Sequence, residues 1–141
     1  MRNETTVTVS APCEKVWDVM TDVECWPEIT ESVTSVEKLD PGPLHVGSRV
    51  RIRQPRLPAA EWVVTEVVER SRFTWESTAP GVRSTAVHEV ASAGAGTSQL
   101  HLSIDQEGRL GGLVSRLYRG MTDRYINLEA NGIKRRSEGT A

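Results

Sequence analysis

The longest hydrophobic pattern in this chain lies in its C-terminal third. Across residues 110–136 apolar side chains recur at steps of three and four, and no proline interrupts the stretch. Such spacing predicts one amphipathic α-helix, about 40 Å long, with a single apolar face. We expect this face to pack against the rest of the domain, with Leu117, Met121, Tyr125 and Leu128 in contact.

Before this helix, polar and apolar residues alternate in short segments that are separated by turns rich in Pro and Gly. Alternation of this kind is typical of half-buried β-strands. Strands are predicted at residues 4–10, 29–39, 46–54, 60–69, 73–79, 82–91 and 98–106.

Two short helices are predicted after the first strand. Pro12 suits the first turn of one helix, and Thr21 with Glu24 fits a capping box for the second. The second helix should end at Trp26, because a residue that precedes proline avoids the α region.

This order of elements predicts an α+β fold. Strands that are joined by short turns form an antiparallel meander, and a twisted sheet of about seven strands curls around a long helix on its concave side. We expect one domain at residues 1–136 and a disordered tail at residues 137–141.

Composition narrows the possible partners. A net charge of −2 and a pI near 5.9 give no electrostatic reason to expect nucleic acid. No signal peptide or membrane span is visible, and the two cysteines lack the spacing of a metal site. We therefore expect a cytoplasmic monomer or homodimer with free thiols.

Several local motifs, together with the order of elements, point to a known family. These motifs are TVSAPCEKVWDVMTDVECWP at 8–27, VGSRVR at 46–51, WVVTEV at 62–67, FTW at 73–75, and PGVR at 80–83 with His88. Through them the chain resembles the helix-grip superfamily, which includes START lipid-transfer domains and the birch-pollen allergens, and it is most similar to the bacterial polyketide cyclase/dehydrase (SRPBCC) branch.

The resemblance implies a mainly apolar cavity between the curved sheet and the long helix. Members of the superfamily bind hydrophobic or aromatic small molecules there, such as lipids or polyketides, and some catalyse cyclisation, aromatisation or dehydration through polar side chains in the cavity. The alternative is a protein-interaction or stress-response module of the same fold without a ligand cavity. Because one fold hosts many functions, the sequence leaves open whether this member is an enzyme.

His88 and Glu66 are the candidate catalytic residues. A histidine suits acid–base chemistry near neutral pH, but the alternation along residues 82–91 does not decide whether His88 faces inward. Glu66 shares strand parity with Trp62 and Val64, so it enters the cavity with Trp62 unless a bulge intervenes; otherwise it lies on the solvated face.

A second group of residues is predicted to contact the ligand. Tyr125 offers a hydroxyl on an apolar body in mid-helix, and Arg83 follows a Pro-Gly turn where a cation could sit at the cavity mouth. No cofactor motif is present and the three histidines are isolated, so neither a cofactor nor a metal is predicted. The predicted ligand-binding residues are Trp62, Val64, Trp75, Arg83, Leu117, Met121 and Tyr125.

Overall fold

The computed structural model describes residues 2–139 of the chain. Its strands are β1 (Arg2–Val9), β2 (Ser35–Lys38), β3 (Arg49–Arg53), β4 (Ala60–Val68), β5 (Arg72–Ala79), β6 (Val82–Gly94) and β7 (Thr97–Glu107). Its helices are α1 (Cys13–Thr21), α2 (Trp26–Ile29) and α3 (Gly111–Ser137), with a 3₁₀ turn at Val23–Cys25 before α2.

The strands form one antiparallel sheet in the order β1-β7-β6-β5-β4-β3-β2. Consecutive strands are neighbours from β2 to β7, whereas β1 pairs with β7 at the far edge. The two short helices connect the opposite edge strands β1 and β2. The predicted α+β fold, with a curved antiparallel sheet and a long C-terminal helix, is confirmed.

Alternation along each strand decides which face is buried. On β3, Val50 and Ile52 are buried while the arginines between and beside them are exposed. On β7, Leu100 and Leu102 are buried, and His101 lies near Glu4 and Glu89 on the other face. The inner face is therefore apolar and the outer face carries ion pairs.

The hydrophobic core occupies one end of the space between sheet and helices. Trp17 and Met20 of α1, Trp26 of α2 and Phe73 of β5 are buried there. Ile133, in the C-terminal half of α3, is buried in the same core. The N-terminal half of α3 contributes no fully buried large side chain among the described ones, which leaves room beneath it.

The second short helix differs from the prediction. The 3₁₀ turn ends at Cys25, and Trp26 begins α2 with helical backbone angles although Pro27 follows it. Proline is tolerated in a first helical turn because its missing N–H would have no partner there. Thr21 does not form the expected capping box, since its hydroxyl donates to the carbonyl oxygen of Trp17.

The end of the chain also differs slightly from the prediction. Helix α3 continues through Ser137, which is buried, so the helix includes the first residue of the expected tail. Residues 140 and 141 of that tail lie outside the described residues. Within residues 2–139, no helix is both long enough and apolar enough to cross a bilayer.

The C-terminal half of α3 approaches α2 very closely at Gly132. A Cβ atom at this position would overlap the carbonyl oxygen of Ile29. The same carbonyl accepts a hydrogen bond from the guanidinium of Arg135 at 3.1 Å. Only glycine allows this approach, so Gly132 sets the distance between the two helices.

We predict that Gly132→Ala destabilises the fold by about 1–3 kcal/mol, because the added methyl group must displace backbone. Gly120→Ala is the matched control on the same helix: a Cβ there meets nothing within 4 Å. That substitution should stabilise the protein by about 1 kcal/mol through helix propensity. Urea unfolding of both variants measures the difference, and equal effects would show that the contact at Gly132 is unimportant.

Candidate functional site

A cavity of about 360 Å³ lies between the sheet and the N-terminal half of α3. We call it the outer chamber. Its walls are mostly apolar, with hydroxyl groups from Ser77, Ser84 and Thr122 among them. The principal apolar residues are Leu57, Pro58, Trp62, Val82, Ile104, Val114, Met121 and Ile126.

A smaller cavity of about 70 Å³ continues deeper under α3. This inner chamber is bounded by Trp26, Trp75, His88 and Glu129 among others. Four residues line both chambers and form a partition between them: Gln54, Trp62, Ile104 and Ile126.

Strand register explains the order of groups along the cavity. On β6, Ser84 pairs with Ser77 and Gln106 near the outer end. Two residues further along β6, Ala86 pairs with Trp75 and Ile104 at the level of the partition. Two more residues bring His88, beside Phe73 and Leu102, to the closed end.

His88 is held rigidly by aromatic rings. Its imidazole stacks on Phe73 with ring centroids 4.2 Å apart and planes 2° from parallel. Trp26 and Trp75 contact it at centroid distances of 5.6 and 5.3 Å. With only 3% of its surface exposed, His88 faces inward, which settles the question that the sequence left open.

Glu129 of α3 faces His88 across the inner chamber. The distance from Nε2 of His88 to Oε2 of Glu129 is 3.8 Å, which is longer than a hydrogen bond. The Glu129 side chain keeps 15% exposure, and it lines the inner chamber. Among the described residues, no carboxyl group other than that of Glu129 lies within 4 Å of a ring nitrogen of His88.

Burial makes both members of this pair neutral at pH 7. It raises the pKa of Glu129 from 4.5 to about 8, because an ionised carboxylate loses its hydration there. Burial also lowers the pKa of His88 from 6.5 to about 3, and a backbone interaction with Phe73 acts in the opposite direction. The cavity therefore ends in a carboxylic acid and an uncharged imidazole.

The structure brings together five of the residues that the sequence predicted. His88, Trp62 and Trp75 line the inner chamber, and Met121 and Tyr125 join Trp62 around the outer chamber. The Tyr125 hydroxyl donates a hydrogen bond to the carbonyl oxygen of Pro55, so it ties α3 to the loop between β3 and β4. Their contact with a ligand stays a prediction.

Glu66 lies on the outer face of the sheet, away from this group. The register of β4 against β5 shifts between Val64 and Glu66, and this bulge turns Glu66 outward although Trp62 faces inward. Its carboxylate accepts hydrogen bonds from Arg72 and Thr74. The neighbouring Arg72 holds the pKa of Glu66 below its ordinary value.

Three predicted ligand-binding residues also lie outside the two chambers. Arg83 is exposed on the outer face, where it pairs with Glu76 and Glu107. Leu117 faces solvent, because Val114, Tyr118 and Thr122 occupy the sheet side of the first half of α3. Val64 is buried in the core. The described chamber walls include none of these three predicted residues.

Glu129 is the functional candidate that the sequence reasoning missed. Tyr125, Glu129 and Ile133 are spaced four residues apart, so they share one side of α3. A carboxylate within an apolar helical stripe is the signal that could have found it. Gln54, in the partition, follows β3 and carried no comparable signal.

Among residues 2–139, no group of three or more His, Cys, Asp or Glu side chains is arranged to hold a metal ion. His88 and Glu129 supply two potential ligands, whereas catalytic zinc sites use three.

The buried pair predicts a particular dependence of stability on pH. Folded Glu129 keeps its proton up to a pKa of about 8, whereas the unfolded chain releases it near 4.5. Between pH 3 and 6.5 His88 is protonated in the unfolded chain but not in the folded one, so its contribution makes stability rise with pH. The two effects cancel between pH 4.5 and 6.5, and above pH 6.5 only Glu129 acts, so stability falls towards pH 8.

Urea unfolding at pH 6.5 and pH 8 tests this expectation. The loss for the wild type is at most about 1.4 kcal/mol per pH unit. Glu129→Gln cannot ionise and should remove the loss, whereas Glu24→Gln, an exposed carboxyl on the 3₁₀ turn, should retain it. The same pH dependence in the wild type and in Glu129→Gln would show that folded Glu129 is ionised at neutral pH.

Comparison with known proteins agrees with this architecture. A profile of the family described as "Polyketide cyclase / dehydrase and lipid transport" matches residues 2–138. A Streptomyces halstedii protein named "Putative polyketide cyclase" is 34% identical over 76 residues, which are 50% of this chain and 66% of that protein. The match thus spans slightly less than two thirds of that relative's length.

Solved structures share the fold at low identity. The Zhui aromatase/cyclase from Streptomyces sp. R1128 has a TM-score of 0.79 and 22% identity, covering 98% of this chain and 93% of its own. A START superfamily protein from Mycobacterium smegmatis has a TM-score of 0.75 and 17% identity, covering 96% and 97%. Because the family profile spans nearly the whole chain, the protein belongs to the polyketide cyclase/dehydrase and lipid transport family, within the helix-grip (SRPBCC) superfamily.

Proposed function

We propose that this protein binds a hydrophobic or aromatic, polyketide-like molecule between the sheet and α3, and that it catalyses dehydration or cyclisation of that molecule. The observation that carries the proposal is the His88–Glu129 pair at the closed end of an apolar cavity. Family membership makes a polyketide-like chain the first substrate class to test.

The size and lining of the outer chamber support binding of a small molecule. Its volume of about 360 Å³ falls within the range of about 300–1,000 Å³ that is usual for ligand pockets. The walls suit an apolar ring system, and the hydroxyls of Ser84 and Thr122 suit a few oxygen substituents. A cavity of this size weighs against the alternative of a tightly packed interaction module.

The partition determines how a ligand would be oriented. The inner chamber, about 70 Å³, admits only the end of a ligand. Ile126 and Trp62 line both chambers, so a ligand that extends from the outer chamber to Glu129 passes these side chains. A poly-β-keto chain would thus place one carbonyl or hydroxyl group at the acid–base pair, with its apolar remainder in the outer chamber.

Glu129 and His88 have complementary roles in the proposed dehydration. The neutral carboxyl of Glu129 donates its proton to the substrate hydroxyl as the C–O bond breaks, and water leaves. The imidazole of His88 accepts the proton from the adjacent carbon as the C=C bond forms. The imidazolium then returns a proton to the carboxylate across the chamber, so the pair is restored and no further reactant is consumed.

The pKa values fit this division of work. A pKa of about 8 keeps Glu129 protonated near neutral pH and close to the value that suits a general acid. The pKa of His88, lowered by burial to about 3, makes it a weak base in the empty cavity. Ionisation of Glu129 beside it would raise the basicity of His88, which couples the two proton transfers.

Filling the outer chamber should abolish binding. Ser84→Trp introduces an indole into the chamber, whereas Arg83→Trp places the same group on the outer face of the same strand. Calorimetric titration with a hydroxyanthraquinone should show affinity reduced by at least ~10-fold for Ser84→Trp, a loss of ~1.4 kcal/mol, and nearly unchanged for Arg83→Trp. Equal affinities in the two variants would place the probe elsewhere.

Removing the general acid should slow turnover without preventing binding. For a poly-β-keto thioester, Glu129→Gln should lower the rate of water loss by about 100-fold or more while hydroxyanthraquinone affinity stays similar. His88→Asn should have a comparable effect, and Glu66→Gln, on the outer face, should have none. Mass spectrometry of the products measures the rates.

Two outcomes would change the proposed function. If the wild type binds the anthraquinone but converts the thioester no faster than buffer does, the protein is a carrier rather than an enzyme. If Glu66→Gln lowers turnover as strongly as Glu129→Gln, the chemistry does not occur in the inner chamber.

A further inference from the structure

The first half of α3 and the residue before it present an unusual concentration of apolar side chains to solvent. Leu110 is 46% exposed, Leu113 53%, Leu117 66% and Tyr118 41%. They are four of the six exposed large hydrophobic residues in the part of the chain that the structure describes. Since Leu113 and Leu117 are four residues apart, they form a continuous apolar stripe on the solvent side.

Exposed arginines accompany this stripe. Residues 109–124 contain four of them and one acidic residue, Asp123, although the whole chain carries a net charge of −2. Asp123 accepts a hydrogen bond from Asn3. Within residues 2–139, no acidic side chain pairs with any of these arginines. The arginine–leucine face is defined by Arg109, Arg116, Arg119 and Arg124 with Leu110, Leu113 and Leu117.

Arginines on the sheet provide a contrast. Arg49 pairs with Asp40, Arg72 with Glu66 and Glu89, and Arg83 with Glu76 and Glu107. The sheet therefore neutralises these cations internally, whereas the arginine–leucine face leaves its own available to an external anion.

This face is anchored and lies next to the cavity mouth. The backbone N–H of Leu110 donates to the carbonyl oxygen of Gly81 at 2.8 Å, and the Leu110 side chain covers Gly81 in the turn between β5 and β6. Val114 and Tyr118, from the same helical turns, line the outer chamber. The leucines thus lie on the same helical turns as residues that line the outer chamber.

We propose that the arginine–leucine face docks on an anionic lipid bilayer. A helix with leucines beside basic residues lies in the membrane interface, with the leucines among the acyl chains and the cations at the lipid phosphates. Docking in this orientation lays the first half of α3, whose opposite side lines the outer chamber, on the membrane surface. An apolar ligand would then have a short path between bilayer and chamber; this last step rests on the proposed function, but the docking itself does not.

Other occupants fit the face less well. A second copy related by a two-fold axis would bring arginines against arginines, which is repulsive. An acidic protein would satisfy the cations, but protein interfaces concentrate tyrosine and tryptophan at their centre, and this face has exposed leucines on a convex helix. Aliphatic side chains with unpaired cations correspond to the chemistry of anionic lipids.

Vesicle sedimentation tests the proposal with the full chain. Binding should occur to vesicles of phosphatidylcholine and phosphatidylglycerol in equal parts, weaken as salt increases, and be absent with phosphatidylcholine alone. Leu113→Ser/Leu117→Ser and Arg116→Gln/Arg119→Gln should each reduce binding by ~10-fold or more. These side chains are exposed, so unchanged circular dichroism should confirm that both variants fold.

Matched controls come from the opposite side of the protein. Arg51→Gln/Arg53→Gln removes the same charge from the outer face of β3, and Val46→Ser removes an exposed apolar side chain. Both should bind vesicles like the wild type. The proposal is overturned if the wild type ignores anionic vesicles, or if the control variants lose binding equally.

Two further outcomes identify a different occupant. Concentration-dependent dimers that disappear in Leu113→Ser/Leu117→Ser, without vesicle binding, would assign the face to a second copy. Saturable binding of a purified acidic carrier protein that Arg116→Gln/Arg119→Gln abolishes, without vesicle binding, would assign it to a protein. Hydroxyanthraquinone affinity in free solution should stay unchanged in these variants, so failure here is distinguishable from failure of the proposed function.

Discussion

Helix α3 packs closely against its surroundings only along its C-terminal half, and the rest of this structure depends on that constraint. Gly132 lets the helix meet the carbonyl of Ile29, and the buried side chains of Ala130 and Ile133 complete the contact. The first half of the helix stands over the outer ends of β5, β6 and β7 without a comparable core. A cavity that is closed at one end follows from this unequal packing.

The same packing determines the chemistry at the closed end. Where α3 approaches the sheet, it brings the carboxyl of Glu129 to 3.8 Å from His88 and leaves little of either side chain exposed. An isolated buried charge is costly, so each group adopts its neutral form. The neutral forms leave a proton on Glu129 and a free lone pair on His88, which is what the proposed dehydration requires.

The fold could be predicted from periodicity, because burial of one face repeats regularly along strands and helices. Val50 and Ile52, or Leu100 and Leu102, reveal the inner face directly. The site could be predicted less well, because its geometry depends on irregular features. A bulge beside Glu66 turns its side chain to the outer face of the sheet, and no repeating pattern in the sequence predicts this bulge. Likewise, Leu117 shares the helical spacing of buried residues but faces solvent where the helix leaves the core.

For Glu129 the position could be predicted but the role could not. Its spacing places it on the buried side of α3, but only the fold shows that His88 lies opposite. The most direct test of the account is a crystal structure of the protein with a bound hydroxyanthraquinone. We expect the ring system in the outer chamber and one ligand oxygen beyond Ile126, within hydrogen-bonding distance of Glu129. A ligand bound on the outer face of the sheet, with both chambers unoccupied, would contradict it.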